Sequence, residues 1–408
     1  MRIRMDQLME SLSMALDVVE GELLGASTYH GKRIAVLVAA MCRHAKMDDR
    51  FLSAATFCAL LHDNALTEYI DALKKGDPPS MRPHCQYGQR NAEMLPFESD
   101  IDGFILYHHE YADGSGAFGK KAGEYPFGAE LIAIADMIDI DHHLATLSFD
   151  TLPDLRRQIV EDTGKRFTIR AAGAMLAILD EEILFLLRDD RIEETVQQSI
   201  PFTIVNLDNG AMMRLAEVTA RIIDYKSTFT RKHTSQIANR AWLMSGYYGC
   251  NDTLRTKIYL AAALHDIGKL VTPVNILEKP GKLNEEEFTI IKKHVYHTWN
   301  LLRPIDGFED ICRWASEHHE KLDGSGYPFG KRREDLDFIS RMLACIDIYQ
   351  AVSEARPYHN PRDHQATMAI LYGMAEKGFV DESIVKDMDL VMAEYSNQDI
   401  PSPALPPL

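Results

Sequence analysis

Residues 263–269 read ALHDIGK and residues 60–66 read LLHDNAL, so the same histidine–aspartate step follows an apolar run in each half of the chain. Outward from His265 and Asp266, the second half carries His233, His294, His318, His319 and Asp347. Around His62 and Asp63, the first half carries His30, His84, His108, His109 and Asp136. The offset between the copies is 203 residues at the first three positions, 210 at the next three and 211 at the last. Two length changes therefore account for the whole difference. Past the paired histidines, both halves continue into an acid and a glycine loop, HHEYADGSG at 108–116 and HHEKLDGSG at 318–326. A register of this kind marks a duplicated domain.

The chain has 408 residues, room for two to three domains at about 150 residues each, and the repeat selects two of about 200. We place them at 1–200 and 205–400, with the linker near 195–210. That stretch contains SIPFTIVNLDNG (199–210), the one segment with strand-and-turn character. Elsewhere apolar residues recur at helical spacing, as at Ile258, Ala261, Ala262 and Leu264, which predicts an all-α fold. Asn284 with Glu287 three residues on reads as a capping box opening the helix that carries His294, and Pro280–Gly281 breaks the chain before it. The tail PSPALPPL (401–408) is proline-rich and is expected to be disordered.

A net charge of −17 excludes a polymeric nucleic acid as partner, because phosphate neutralisation needs clustered Lys and Arg. A small phosphate ester held through metal ions is compatible with it. The six cysteines (Cys42, Cys58, Cys85, Cys250, Cys312, Cys345) form no CxxC pair, which points to reduced, buried thiols. The N-terminus intersperses acids among its apolar positions, and no stretch has the ~18 apolar residues of a spanning helix, so a cytoplasmic chain without a membrane anchor is expected.

Imidazoles with a few carboxylates suit divalent first-row transition metals better than calcium or magnesium. Five histidines and two aspartates exceed the needs of one ion, and two ions sharing Asp266 account for the count. Such a pair can lower the pKa of a bound water from ~15.7 toward ~7, supplying a nucleophile for in-line attack on phosphorus. A single HD dipeptide would more often be a satisfied structural pair, but seven positions in register reverse that.

HDIGK (265–269), the spaced His294, the pair His318–His319, GSGYPFG (324–330) and ACIDIYQAV around Asp347 resemble the HD-GYP family of cyclic dinucleotide phosphodiesterases. The match covers about residues 212–370. The resemblance implies two tandem HD-type helical bundles packed against each other, and it leaves a homodimer open. It implies two metal ions, iron, manganese or nickel, one held by His233, His265, Asp266 and Asp347 and the other by Asp266, His294, His318 and His319. Lys269 would contact the scissile phosphate or assist the leaving oxygen, and Gly326, Tyr327, Pro328 and Arg356 would contact substrate. Some family members bind a third metal through a Glu four residues before the first His; here that position is Phe229. His359 stands where a Lys or Arg is common in the family.

The first half keeps the ligands but not the rest. Leu66 stands where Lys269 does, the loop is cut to GSGAFG (114–119), and the His62–His84 interval is 22 residues against 29 for His265–His294. The segment around VTPVNILEKPGKL thus lacks a full counterpart, and an active-site wall is expected to be missing. This half reads as a degenerate, regulatory HD-GYP-like domain that can hold metal through His30, His62, Asp63, His84, His108, His109 and Asp136. The reaction implied is hydrolysis of a 3′,5′-cyclic dinucleotide, cyclic di-GMP or 3′3′-cyclic GMP-AMP, to a linear dinucleotide or onward to mononucleotides. The alternatives are a general HD-type nucleotidase and a cyclic dinucleotide sensor that acts by binding.

Overall fold

A computed structural model describes residues 1–25, 27–76, 80–226, 232–354, 361–395 and 398–404. The chain divides into two compact units, Arg4–Val205 and Asn206–Leu408, the second including Met1–Ile3. The first unit contains α1 (Met5–Leu24), α2 (His30–His44), α3 (Asp49–Leu60), α4 (Leu66–Lys74), α5 (Met81–Glu93), α6 (Phe127–His142), α7 (Leu152–Asp162), α8 (Ile169–Ile178), α9 (Glu181–Leu186) and α10 (Ile192–Ser199). The second contains α11 (Asn209–Asp224), α12 (His233–Tyr247), α13 (Asp252–Leu264), α14 (Val274–Leu277), α15 (Glu285–Leu302), α16 (Glu309–Ser316), α17 (Phe338–Ser353), α18 (His364–Glu376) and α19 (Glu382–Ala393). The fold is all-α apart from two paired three-residue strands, β1 (Arg2–Arg4) and β2 (Ile204–Asn206). The strand character of 199–210 is thus realised at β2, whereas β1 has no periodicity long enough to read in the sequence.

Helices α3, α13 and α15 start where the sequence supplies acceptors for the orphan amides of a first turn. Asp48 accepts from Phe51 at 2.8 Å to open α3, and Asn251 accepts from Leu254 at 2.9 Å to open α13. At α15 the Asn284–Glu287 capping box is complete, and Glu285, Glu286 and Glu287 place negative charge at the positive end of the helix dipole. Helix α6 is buried from Phe127 to Asp139, and α13 over its last turns from Ile258 to Leu264. Helices apolar on every side belong in the centre of a bundle, which is where Asp136 and His265 are needed.

How the HD turn seats on the next ligand helix differs between the units. In the second, a Cβ on Gly268 would fall 2.0 Å from the His294 carbonyl oxygen, so only glycine lets the turn Ile267–Val271 lie on α15. The Gly268 amide donates to Thr298 Oγ1 (3.1 Å), and that hydroxyl donates to the His265 carbonyl (2.9 Å). In the first unit the small residue lies on the helix instead. Gly88, in register with Thr298, makes room on α5, and the turn residue Asn64 donates to the Gly88 carbonyl (3.1 Å) and accepts from Asn91 (3.0 Å).

Both chain ends hold contacts that the sequence reading did not anticipate. Met1–Ile3 cluster with the second unit, with Ile3 buried and Gly307 tight against the Arg2 carbonyl, where a Cβ would come within 2.2 Å. The start of the C-terminal tail is held by side chains of α12. Asn239 donates to the Ile400 carbonyl (2.8 Å) and to Ser402 Oγ (3.3 Å).

Candidate metal centre and active site

In the second unit, the fold brings all seven expected ligands together. His233 is the first residue of α12, His265 and Asp266 follow α13, His294 lies on α15, His318 and His319 follow α16, and Asp347 lies on α17. Most of this set is buried; His319 keeps 27% of its side chain exposed.

Helix ends decide how the rings are presented. The last carbonyls of a helix have no amide partner within it, and a histidine just beyond can fold back onto them. His265 Nδ1 donates to the Ala262 carbonyl (2.7 Å) and His318 Nδ1 to that of Ala315 (2.7 Å); on α15, His294 Nδ1 donates to Ile291 (2.6 Å). A carbonyl can only accept, so each Nδ1 carries the proton and each Nε2 presents a lone pair to the site. His294 Nε2 and His318 Nε2 then face each other at 3.4 Å as two acceptors. Nε2 of His233 and of His265 and Oδ1 of Asp266 are buried without a hydrogen bond. Buried acceptors gathered without donors are costly unless a cation lies among them.

The Asp266 carboxylate divides the set. Its Oδ1 faces His294 (3.2 Å) and His318 (4.0 Å), while Oδ2 faces His265 (3.1 Å) and His233 (3.6 Å). Asp347 faces His233 with Oδ1 (3.7 Å) and His319 with Oδ2 (3.5 Å). Burial would raise the Asp266 carboxyl, but the neighbouring His265 and Lys269 charges outweigh it and hold the group well below the usual carboxylate range. Burial, then adjacent imidazoles, keep His318 and His319 well below the usual histidine range. Ionised carboxylates and neutral imidazoles are the forms that bind a divalent ion.

Lys269 bonds directly to Asp266 Oδ2. Its ammonium therefore lies against the carboxylate that divides the set. Tyr327, in the loop after the histidine pair, packs against His319 with ring centroids 4.9 Å apart and planes tilted by 40°, and the Lys292 ammonium lies 5.3 Å from its ring centroid. Glu320 holds that loop in place by accepting from the amides of Phe329 (2.7 Å) and Lys331 (2.9 Å). Gly326 lets it fold back, since a Cβ there would meet the Glu320 Cα at 2.5 Å. Arg356, Phe229 and His359 lie outside the described residues.

Sequence reading missed Glu354, whose carboxylate accepts from His233 Nδ1 (2.8 Å) and fixes that ring as the carbonyls fix the others. The same carboxylate lines a cleft of about 540 Å³ together with Gln236, Arg240, Tyr349, Gln350 and Arg362. This is a ligand-sized space beside the site.

The first unit assembles its seven residues in two groups, Asp63–His84–His108–His109 and His30–His62–Asp136. His62 Nδ1 donates to Ala59 (2.9 Å) and His108 Nδ1 to Ile105 (2.5 Å), while Nε2 of His62, His84 and His108 are buried without partners. Asp63 divides this set too, Oδ1 lying 3.0 Å from His84 and 4.0 Å from His108, and Oδ2 3.7 Å from His62. The glycine loop persists, with Glu110 accepting from the amides of Phe118 and Lys120. Helix α4, opening with buried Leu66, occupies the stretch where the second unit has Lys269 and α14. The positions in register with Gln236 and Gln350 are Arg33 and Asp139, a fully buried ion pair at 2.9 Å.

Residues 217–384 match the model of the HD domain family. The second half of the chain is an HD domain. Over 367 residues the chain is 28% identical to a 3′3′-cGAMP-specific phosphodiesterase of Vibrio cholerae, covering 87% of this chain and 85% of that protein. Over 196 residues it is 29% identical to a cyclic di-GMP phosphodiesterase of Pseudomonas aeruginosa, covering 47% of each. The crystal structure of a cyclic GMP-AMP specific phosphodiesterase of Vibrio cholerae shares the fold at a TM-score of 0.66, with 20% identity over 96% of this chain and 98% of that one. The HD domain assignment agrees with the HD-GYP resemblance of the sequence. No helix among the described residues is long and apolar enough to cross a membrane.

Proposed function

We propose that the HD domain hydrolyses a 3′,5′-cyclic dinucleotide, cyclic di-GMP or 3′3′-cyclic GMP-AMP. Water would add across one phosphodiester P–O bond to give a linear dinucleotide. The observation that carries this reading is the pair of Nε2 acceptors of His294 and His318 facing each other at 3.4 Å beside the unpartnered Oδ1 of the divided Asp266 carboxylate, a set of buried acceptors that suits two divalent cations. His233, His265, Asp266 and Asp347 would hold one ion and Asp266, His294, His318 and His319 the other, with iron, manganese or nickel as the fitting metals. Bound there, such ions supply Lewis-acid activation of water and neutralisation of phosphoryl charge. The substrates for which the relatives are named support the cyclic dinucleotide class.

The chain's own residues have distinct tasks in this reading. Asp266 spans both ligand groups. Lys269 offsets negative charge on the phosphate or the leaving oxygen. Glu354 and the helix-end carbonyls hold each imidazole in the tautomer that binds metal. Tyr327 on its glycine loop, with Gly326 and Pro328, and the neighbouring cleft with Arg240 and Arg362 bound the space for ribose and base. To the first unit we assign a regulatory role.

The test is the purified full chain incubated with each cyclic dinucleotide under iron, manganese or nickel, with products separated by chromatography. Linear dinucleotide is the expected product. Turnover of mononucleotides alone would replace this reading by a general nucleotidase, and saturable binding without product would replace it by a sensor.

A further inference from the structure

Two ligand residues of the second unit begin matching rows of polar side chains. On α12, Gln236 and Arg240 follow His233 at three and seven residues; on α17 and just past its end, Gln350 and Glu354 follow Asp347 at the same intervals. Residues at that spacing share a helix face, and α12 packs on α17. The faces that supply His233 and Asp347 thus run on, by about 10 Å along each axis, into the cleft of about 540 Å³ that the other four residues line. In the first unit the corresponding rows are His30, Arg33, Leu37 and Asp136, Asp139, His143. There the fully buried Arg33–Asp139 pair, at 2.9 Å, and buried Leu37 stand at these positions.

The exchange leaves hydrogen-bonding capacity unused in the second unit. Arg240 is 7% and Gln350 5% exposed, yet Arg240 Nε and Gln350 Oε1 have no partner among the described residues. Their neighbours are already engaged. Gln236 accepts from the Ile400 amide (2.9 Å) and from Arg240 Nη1 (3.1 Å) and donates to the Ile400 carbonyl (3.2 Å), while Glu354 accepts from His233 (2.8 Å). A buried donor and a buried acceptor lining one cleft carry a desolvation cost that a ligand with the complementary acceptor and donor would relieve. Charge narrows the ligand further. Among the described lining residues, Lys232, Arg240 and Arg362 are matched by Glu354, Asp363 and Asp399, a balance that gives a bare anion no advantage. An uncharged planar group with both acceptors and N–H donors on its edges is a nucleobase.

We infer that this cleft seats one purine of the cyclic dinucleotide, with Arg240 Nε donating to a ring acceptor and Gln350 Oε1 accepting from an N–H of the same base. The assignment rests on the proposed hydrolysis and adds to it two residues that determine which base is accepted. A site built to hydrogen-bond a group discriminates against a ligand that lacks it, because its buried polar atoms are then left unpaired. In the first unit the Arg33–Asp139 pair satisfies its own charges at the same positions and denies a base this seat.

Two variants of the manganese-loaded full chain separate base recognition from metal chemistry. Gln350→Leu removes the free acceptor, and Gln236→Arg/Arg240→Leu/Gln350→Asp carries over the side chains that the first unit already packs. Metal per chain and the thermal midpoint identify the folded, loaded variants. For these, KM for cyclic di-GMP and 3′3′-cyclic GMP-AMP should rise roughly tenfold or more with kcat little changed, and equilibrium binding of the same nucleotides should weaken by the same factor. Their rate on bis(p-nitrophenyl) phosphate, a diester with no base, should rise to a similar degree relative to that on the cyclic dinucleotides. Wild-type KM and binding in both loaded variants would overturn the inference, as would an equal loss of rate on the base-free and the cyclic diesters. The proposed hydrolysis fails separately. If the wild-type chain binds a cyclic dinucleotide without forming product and the variants weaken that binding, the cleft stands and the hydrolysis falls; if the wild-type chain binds neither nucleotide, the cleft falls too.

Discussion

The two units hold the same seven ligand-type residues in the same relation to their helices, yet what surrounds those residues is opposite in character. In the second unit, Lys269 lies against the divided carboxylate, Tyr327 packs against His319, and a cleft opens beside Glu354. In the first, Leu66 replaces the lysine, and the Arg33–Asp139 pair fills the positions of Gln236 and Gln350. Holding ions requires only the ligand set and its tautomers. Hydrolysis also requires a place for phosphate and spare positive charge, which the cleft and Lys269 offer in the second unit.

The comparison can be broken most decisively at its shared feature. Asp266→Ala should reduce hydrolysis to background and release the second unit's metal, because both ligand groups depend on one carboxylate; wild-type stoichiometry with normal turnover would contradict this. Lys269→Ala should keep its metal yet lose roughly a hundred- to thousand-fold in rate, the cost of one charge-stabilising contact worth ~2.7 to 4 kcal/mol. Equal rates for a fully loaded variant would end that role.

A smaller effect is expected at Glu354, whose part in this account is to orient the His233 ring. Glu354→Gln should weaken metal retention or activity by about 10- to 100-fold, as loss of a partner behind a ligand histidine does. If retention is unchanged, the Nδ1 contact does not set the ring. The smallest effects concern the seating of the HD turn. Gly268→Ala should destabilise the second unit by about 1 to 3 kcal/mol, because its Cβ meets backbone. Gly88→Ala should cost less, because its Cβ meets the methyl tip of Ile105 at 2.9 Å, which can rotate away. Calorimetry of the two variants would expose a reversal of that order.

The ligand set and the helical class could be read from the sequence because both are periodic. Seven residues kept their register through two length changes, and the apolar spacing around them repeats that of helices. The supporting residues could not be read in this way. His233 takes its Nδ1 partner from Glu354, seven residues past Asp347, whereas His30 takes it from Asp139, three past Asp136. No common offset marks both. The exchange of Gly268–Thr298 for Asn64–Gly88 is a compensation between two helices, visible only when they are in contact. The glycine loop of the first half, shortened in sequence, keeps its backbone frame through Glu110, and α4 stands where a wall was expected to be missing.

The division of labour is tested most directly by comparing two variants of the full chain, His62→Ala/Asp63→Ala and Asp266→Ala, each loaded with manganese and given a cyclic dinucleotide. The account predicts that the first keeps much of the wild-type rate of linear dinucleotide formation while the second makes none. A first-unit variant as inactive as Asp266→Ala, with its second-unit metal intact, would contradict it.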